Sequence, residues 1–196
     1  MRHTKLFLTV SFLTGLALNI ATSVNAQPIR GPVQGPAAPE APPTWEPDKK
    51  GVKGKRDHID FALTPKPISD ANMKFSHFSN RKLIIFYFSA KCPHCQHAFP
   101  YVQKLSDELT AQGFSSIAIA IKYNTEDDIR SFIRDYNVHM PVFYDEDRTI
   151  GENYGTGSIP LILVINEKGE YIRYKTFDAE QTPGMIKAEV AQFASK

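Results

Sequence analysis

The chain has 196 residues, enough for one domain with accessory segments, and 42% of them are hydrophobic, enough for a packed core. Its formal charge is +2, and Arg2 and Lys5 supply that excess from an N-terminal stretch with no acidic residue. The remainder is close to neutral, which excludes a bulk field aimed at nucleic acid or an anionic membrane surface.

Residues 6–20 form an apolar run behind Arg2 and Lys5, and Val24 and Ala26 put small residues at the −3 and −1 positions of a cleavage site. Residues 1–26 therefore read as a secretory signal. An uncleaved anchor is the alternative, but the run is short for ~30 Å of hydrocarbon. No cysteine follows it, which argues against a lipid anchor, and no second run approaches spanning length.

Residues 27–57 read as a linker. Seven prolines between Pro28 and Pro47 fix φ and remove donors, so the stretch is expected to be extended. Five positive charges follow in the segment 49–56, read as a solvated tether, with contact to an acidic surface or anionic lipid as the sharper alternative. Trp45 stands alone within the linker.

The globular domain is placed at 58–196. The segment 58–63 alternates in part and is expected to be an edge strand. The continuous apolar run 82–88 predicts a strand buried on both faces. Residues 93–112 predict a helix, with Phe99, Val102, Leu105 and Leu109 on one face, Pro100 kinking it and Gly113 as its stop. A second buried strand is expected at 115–121. Thr125 then caps a helix to about Tyr136, with Glu126, Asp127 and Asp128 in its positive first turn. A short strand at 142–144, a short helix at 148–154, a strand at 161–165, a hairpin turn at 167–170, a strand at 171–174 and a last helix at 183–194 complete the pattern. It is that of an α/β three-layer sandwich with a mixed central sheet.

The chain has two cysteines, Cys92 and Cys95. Secreted domains stapled by disulfides normally carry four or more, and a bridge across two residues closes almost no loop. Chemistry explains the pair better than stapling. Cys92 falls where a helix begins, and unpaired N–H groups and the helix dipole there favour a thiolate, the nucleophilic form. Lys91 and His94 adjoin it and add positive potential, and Pro93 suits the first helical turn. Cys95, one turn on, is expected to be the more buried sulfur. A zinc site normally takes four ligands. With no second cysteine pair, a metal would have to use His94 and His97, so no metal and no cofactor is assigned.

The domain resembles the thioredoxin superfamily, and within it the exported TlpA/ResA-like branch, over about residues 58–196. Phe88-Ser-Ala-Lys-Cys92-Pro-His-Cys95 stands at that family's strand-to-helix active site. Pro100, five residues after the second cysteine, matches its helix-kinking proline, and Ser158-Ile159-Pro160-Leu161 matches its cis-proline segment. Residues 145–155 resemble its Asp-rich turn and short helix, and 166–169 its following hairpin turn. Cys95 and Pro160 lie 65 residues apart, which implies the inserted βα unit of the TlpA-like branch and not the longer helical insertion of DsbA-like proteins.

The resemblance implies a thioredoxin fold and disulfide exchange with protein substrates through Cys92 and Cys95, with a redox partner that resets the pair. Alone, X–Pro is cis in only about 5–6% of cases; the resemblance implies cis at Pro160, with the Ile159 backbone turned outward to pair with substrate by strand addition. Two departures stand out. The acidic residue many relatives carry six positions before the first cysteine is Phe86 here, leaving Lys122 or a buried water as substitute proton acceptor. The tryptophan many carry immediately before that cysteine is Lys91. Pro93-His94 is the dipeptide of strongly oxidising DsbA-like proteins, whereas the domain layout is that of reductants. The expected role is reduction or shuffling of disulfides in specific envelope proteins. The alternatives are a DsbA-like oxidant, an isomerase of a conjugation or secretion system (TrbB/TraF-like proteins also carry a signal and a Pro-rich linker) and a non-enzymatic binding module. A monomer is the default.

Overall fold

The computed structural model describes residues 57–193 apart from Thr176; the proposed signal and all but the last residue of the linker lie outside them. The elements in chain order are β1 (Lys66–Pro67), a 3-10 turn (Phe75–Phe78), β2 (Lys82–Phe88), α1 (Pro93–Thr110), β3 (Phe114–Ile121), α2 (Glu126–Asp135), β4 (Val142–Asp145), α3 (Thr149–Tyr154), β5 (Leu161–Ile165), β6 (Tyr171–Tyr174) and α4 (Thr182–Phe193). The six strands form one mixed sheet in the order β1-β4-β3-β2-β5-β6. β2 runs parallel to β3 and β3 to β4, while β5 is antiparallel to both β2 and β6.

β2 lies at the centre, and its alternation sends side chains to two cores. Ile84, Phe86 and Phe88 face the layer of α1, α2 and α4, meeting Phe99, Phe132 and Ile186. Leu83, Ile85 and Tyr87 face the opposite layer, with Ile150 and Tyr154 of α3 and Phe75 and Phe78 of the 3-10 turn. This is the three-layer α/β sandwich of the thioredoxin fold. Local signals end the helices where expected. Gly113 takes φ +85° just beyond α1, where a residue without Cβ is favoured. At the start of α2 the Thr125 hydroxyl accepts from the Asp128 amide (3.1 Å), and the Asp128 carboxylate accepts from the Thr125 amide (2.7 Å), a reciprocal cap.

One expected strand is absent. The segment 58–63 makes a single bridge, His58 to Glu170, and then turns. Asp60 causes the bend: its carboxylate accepts from Ala62 N (3.0 Å) and its carbonyl from Leu63 N (3.2 Å), so local bonds outcompete a ladder. The edge position goes to β1, paired antiparallel with β4, where Pro67 is tolerated because an edge strand can spare one donor.

Candidate active site

β2 delivers the chain to a short loop, Ser89–Ala90–Lys91, and the loop opens α1 at Cys92. The Cys92 amide donates to the Ser89 carbonyl (3.1 Å), closing a tight turn. A buried side chain from another part of the chain holds this turn. Asn124 Oδ1 accepts from Ser89 Oγ (3.1 Å) and Ala90 N (2.8 Å), while Asn124 Nδ2 donates to the Ile121 carbonyl (2.6 Å). The Tyr144 hydroxyl donates to the Asn124 carbonyl (2.8 Å), fixing the clamp itself. From the other side Gln96 Nε2 donates to the Ala90 carbonyl (2.7 Å). Sequence reading missed Ser89, Gln96 and Asn124, because no local pattern announces a contact between residues 35 positions apart.

Both thiols are free. Cys92 is the N-cap residue of α1, its side chain makes no capping bond, and Pro93 follows in the first turn. Cys92 is half-buried, whereas Cys95 is fully buried, as expected. Burial pushes the Cys95 thiol far above the ordinary thiol range; the proximity of Cys92 and a hydrogen bond with it act the same way, against a backbone contact from Ser89. Pro93, His94 and His97 are exposed. Among the described residues no group of three or more His, Cys, Asp or Glu is placed to hold a metal ion.

Lys91, expected to add positive potential beside Cys92, is 60% exposed at its side chain and has an ion partner of its own. Its ammonium pairs with Asp128 Oδ2 at 2.8 Å, tying the loop to the cap of α2. That hydrogen bond, together with those from Thr125, holds the Asp128 carboxyl down at about 2. Phe86 is fully buried and stacks with Phe88 at 5.3 Å, so aromatic carbon occupies the position where many relatives carry an acid. Lys122 is exposed at the end of β3 and is no buried proton acceptor.

The Ile159–Pro160 peptide is cis. β5 pairs with β2 in the register Tyr87↔Leu161, so Pro160 comes level with Phe88 at the sheet end where the cysteine loop begins. Ile159 and Cys92 pack against the same core. Pro160 is buried, and the Ile159 amide and carbonyl have no hydrogen-bond partner among the described residues. On the other face of the sheet, fully buried Asp145 accepts from the Tyr87 hydroxyl (2.8 Å) and from the Ile150 and Gly151 amides (3.0 and 2.8 Å), anchoring the start of α3. Burial, then the carboxylate beside it, raises the Tyr87 hydroxyl well above its usual range.

The six-stranded mixed sheet and the two free thiols where α1 begins give the class: a thioredoxin-fold protein with a dithiol at its strand-to-helix turn. The chain belongs to the Redoxin family, whose profile matches residues 60–192. It is similar to the thiol-disulfide oxidoreductase ResA of Halalkalibacterium halodurans, 22% identical over 146 residues, covering 74% of this chain and 78% of that protein. It is also similar to ResA of Bacillus subtilis, 21% identical, covering 65% and 70%. Among solved structures, a secreted Mycobacterium tuberculosis disulfide oxidoreductase homologous to E. coli DsbE superposes with TM-score 0.56 at 16% identity, covering 64% of this chain and 95% of that one. StoA from Bacillus subtilis superposes with TM-score 0.52 at 20% identity, covering 62% and 93%.

Proposed function

We propose that this protein exchanges disulfides with specific proteins outside the cytoplasm through Cys92 and Cys95, acting as a reductant or a shuffler. The observation that carries this reading is the asymmetry of the two sulfurs: one half-exposed where α1 begins, the other buried and held protonated one turn behind it. The Cys92 thiolate attacks a substrate disulfide, forming a mixed disulfide and expelling one substrate thiolate. Cys95 then loses its proton and attacks Cys92 Sγ. The Cys92–Cys95 disulfide forms, the second substrate thiol leaves, and two electrons have passed to the substrate. A redox partner restores the dithiol. The unpaired backbone at Ile159 suits an added substrate strand, and Ile159 packs against the same core as Cys92.

Export is supported by the N-terminal leader pattern and by the secreted M. tuberculosis neighbour. No helix among the described residues is long and apolar enough to cross a membrane. Domain limits of 1–26, 27–57 and 58–196 are part of the same proposal. Insulin reduction tests the exchange itself: wild type is active, Cys92→Ser is inactive, and Cys95→Ala accumulates a mixed disulfide that identifies the substrate. Equal activity of wild type and Cys92→Ser would leave only a binding module. Redox titration reads the direction: a potential near about −270 mV fits a reductant, and one near about −120 mV fits the oxidant that Pro93-His94 suggests.

A further inference from the structure

Beside Ile159, on the α3 side of the sheet, lies a cleft of ≈ 260 Å³. Its lining includes Tyr87 and Gly151, the segment Gly155 to Ile159, and Lys122 and Tyr123 just beyond β3. The charged side chains of its lining are Lys122 and Arg148, and the lining contains no carboxylate residue. Lys122 has no ion partner among the described residues. Arg148 has only a long, solvent-screened contact from Nε to Glu152 Oε1 at 4.0 Å, which leaves most of its guanidinium donors available. Asp145 is fully buried, accepts from the Tyr87 hydroxyl and two amides, and is not part of the lining. Tyr123, 73% exposed, offers an uncovered ring at the rim.

We propose that this cleft is a specificity site for an acidic segment of the substrate protein, which continues past the strand pairing at Ile159 and places a carboxylate between Lys122 and Arg148. The inference rests on the exchange reading above and deepens it. A strand laid along Ile159 must leave the site on one side or the other, and on this side it meets exposed Tyr123 and two cations. Peptides bearing Lys or Arg at the same position would meet like charge, so the cleft selects as well as binds.

The test uses the reduced full chain in single-turnover reactions with three disulfide-bridged peptides, alike except for Glu, Gln or Lys in the segment beyond the residues that pair at Ile159. The uncharged 2-hydroxyethyl disulfide is the control. The Glu peptide is expected to react about tenfold faster than the Gln peptide, and the Lys peptide slowest, with the spread shrinking in high salt. Lys122→Glu combined with Arg148→Asn (asparagine tolerates the φ of +66° there) abolishes or inverts the ranking and leaves the control rate unchanged. Lys122→Glu alone, at an exposed position, gives about half the effect on a logarithmic scale. Equal rates for the three peptides, with the control reacting normally, overturn the cleft assignment and leave disulfide exchange standing. No reaction with the control or any peptide overturns the exchange reading, and the cleft assignment falls with it.

Discussion

The two sulfurs differ in what surrounds them, and the difference is chemical. Cys95 belongs to one apolar core with Phe86 and Phe99, and the position six residues before Cys92 is aromatic carbon and not an acid. Alkylation at neutral pH should therefore modify Cys92 and spare Cys95 until the protein is unfolded, as read by mass spectrometry of iodoacetamide-treated peptides. The same burial sets a pH dependence. The unfolded chain releases the Cys95 proton at the ordinary thiol value of about 8.5, whereas the folded chain keeps it, so the folded state binds more protons above that pH. Stability from this residue is intact below about pH 8.5 and declines as pH rises beyond it. Denaturant midpoints at pH 7 and pH 10 should fall further in wild type than in Cys95→Ala. Gly151 is a residue of another kind: a Cβ there would collide with the Tyr87 hydroxyl. Gly151→Ala is expected to lower stability by about 1–3 kcal/mol, and by less in a Tyr87→Phe background, where the hydroxyl is gone.

The elements meet at the carboxyl end of the sheet, and side chains from loops hold them there. Asn124 lies just before the cap of α2, yet it secures the loop between β2 and α1. Lys91 makes the converse link, from that loop to the cap of α2. The Asn124 bonds are buried and the Lys91 pair is exposed, so the first should matter more to stability. Asn124→Ala leaves the Ala90 amide without its partner and should destabilise by about 1–3 kcal/mol. Hydrogen exchange should show the Ala90 amide losing protection, with less change in β5 and β6.

At the scale of the whole molecule, Phe99 joins three elements. Its ring meets Phe86 of β2 at 5.8 Å and Phe132 of α2 at 5.0 Å, while its own backbone belongs to α1. Phe99→Ala should cost about 3–5 kcal/mol, measured by chemical denaturation, because a cavity opens where these three elements converge. The order of the elements was legible along the chain. A continuous apolar run marked β2, a helical stripe marked α1, and Thr125 with the three acids behind it marked the start of α2. Each of these signals lies within a few residues and reports burial or capping directly. The segment 58–63 misled because its partial alternation looks like a strand, while the turn chemistry of Asp60 is the stronger local force.

Local sequence alone was enough to show a close-spaced cysteine pair, a helix beginning at its first cysteine, and the alternation of strands and helices that makes an α/β sandwich, since these depend on neighbours in the chain. The family resemblance supplied the cis geometry at Pro160, against the trans preference of an isolated X–Pro bond. Only the tertiary structure decided that Lys91 is engaged by Asp128, that Asn124 clamps the cysteine loop, and that Lys122 and Arg148 face one cleft beside Ile159. The reason is physical: burial and pairing across the sheet bring together residues such as Tyr87 and Asp145, 58 positions apart, and no local pattern records which distant groups will meet.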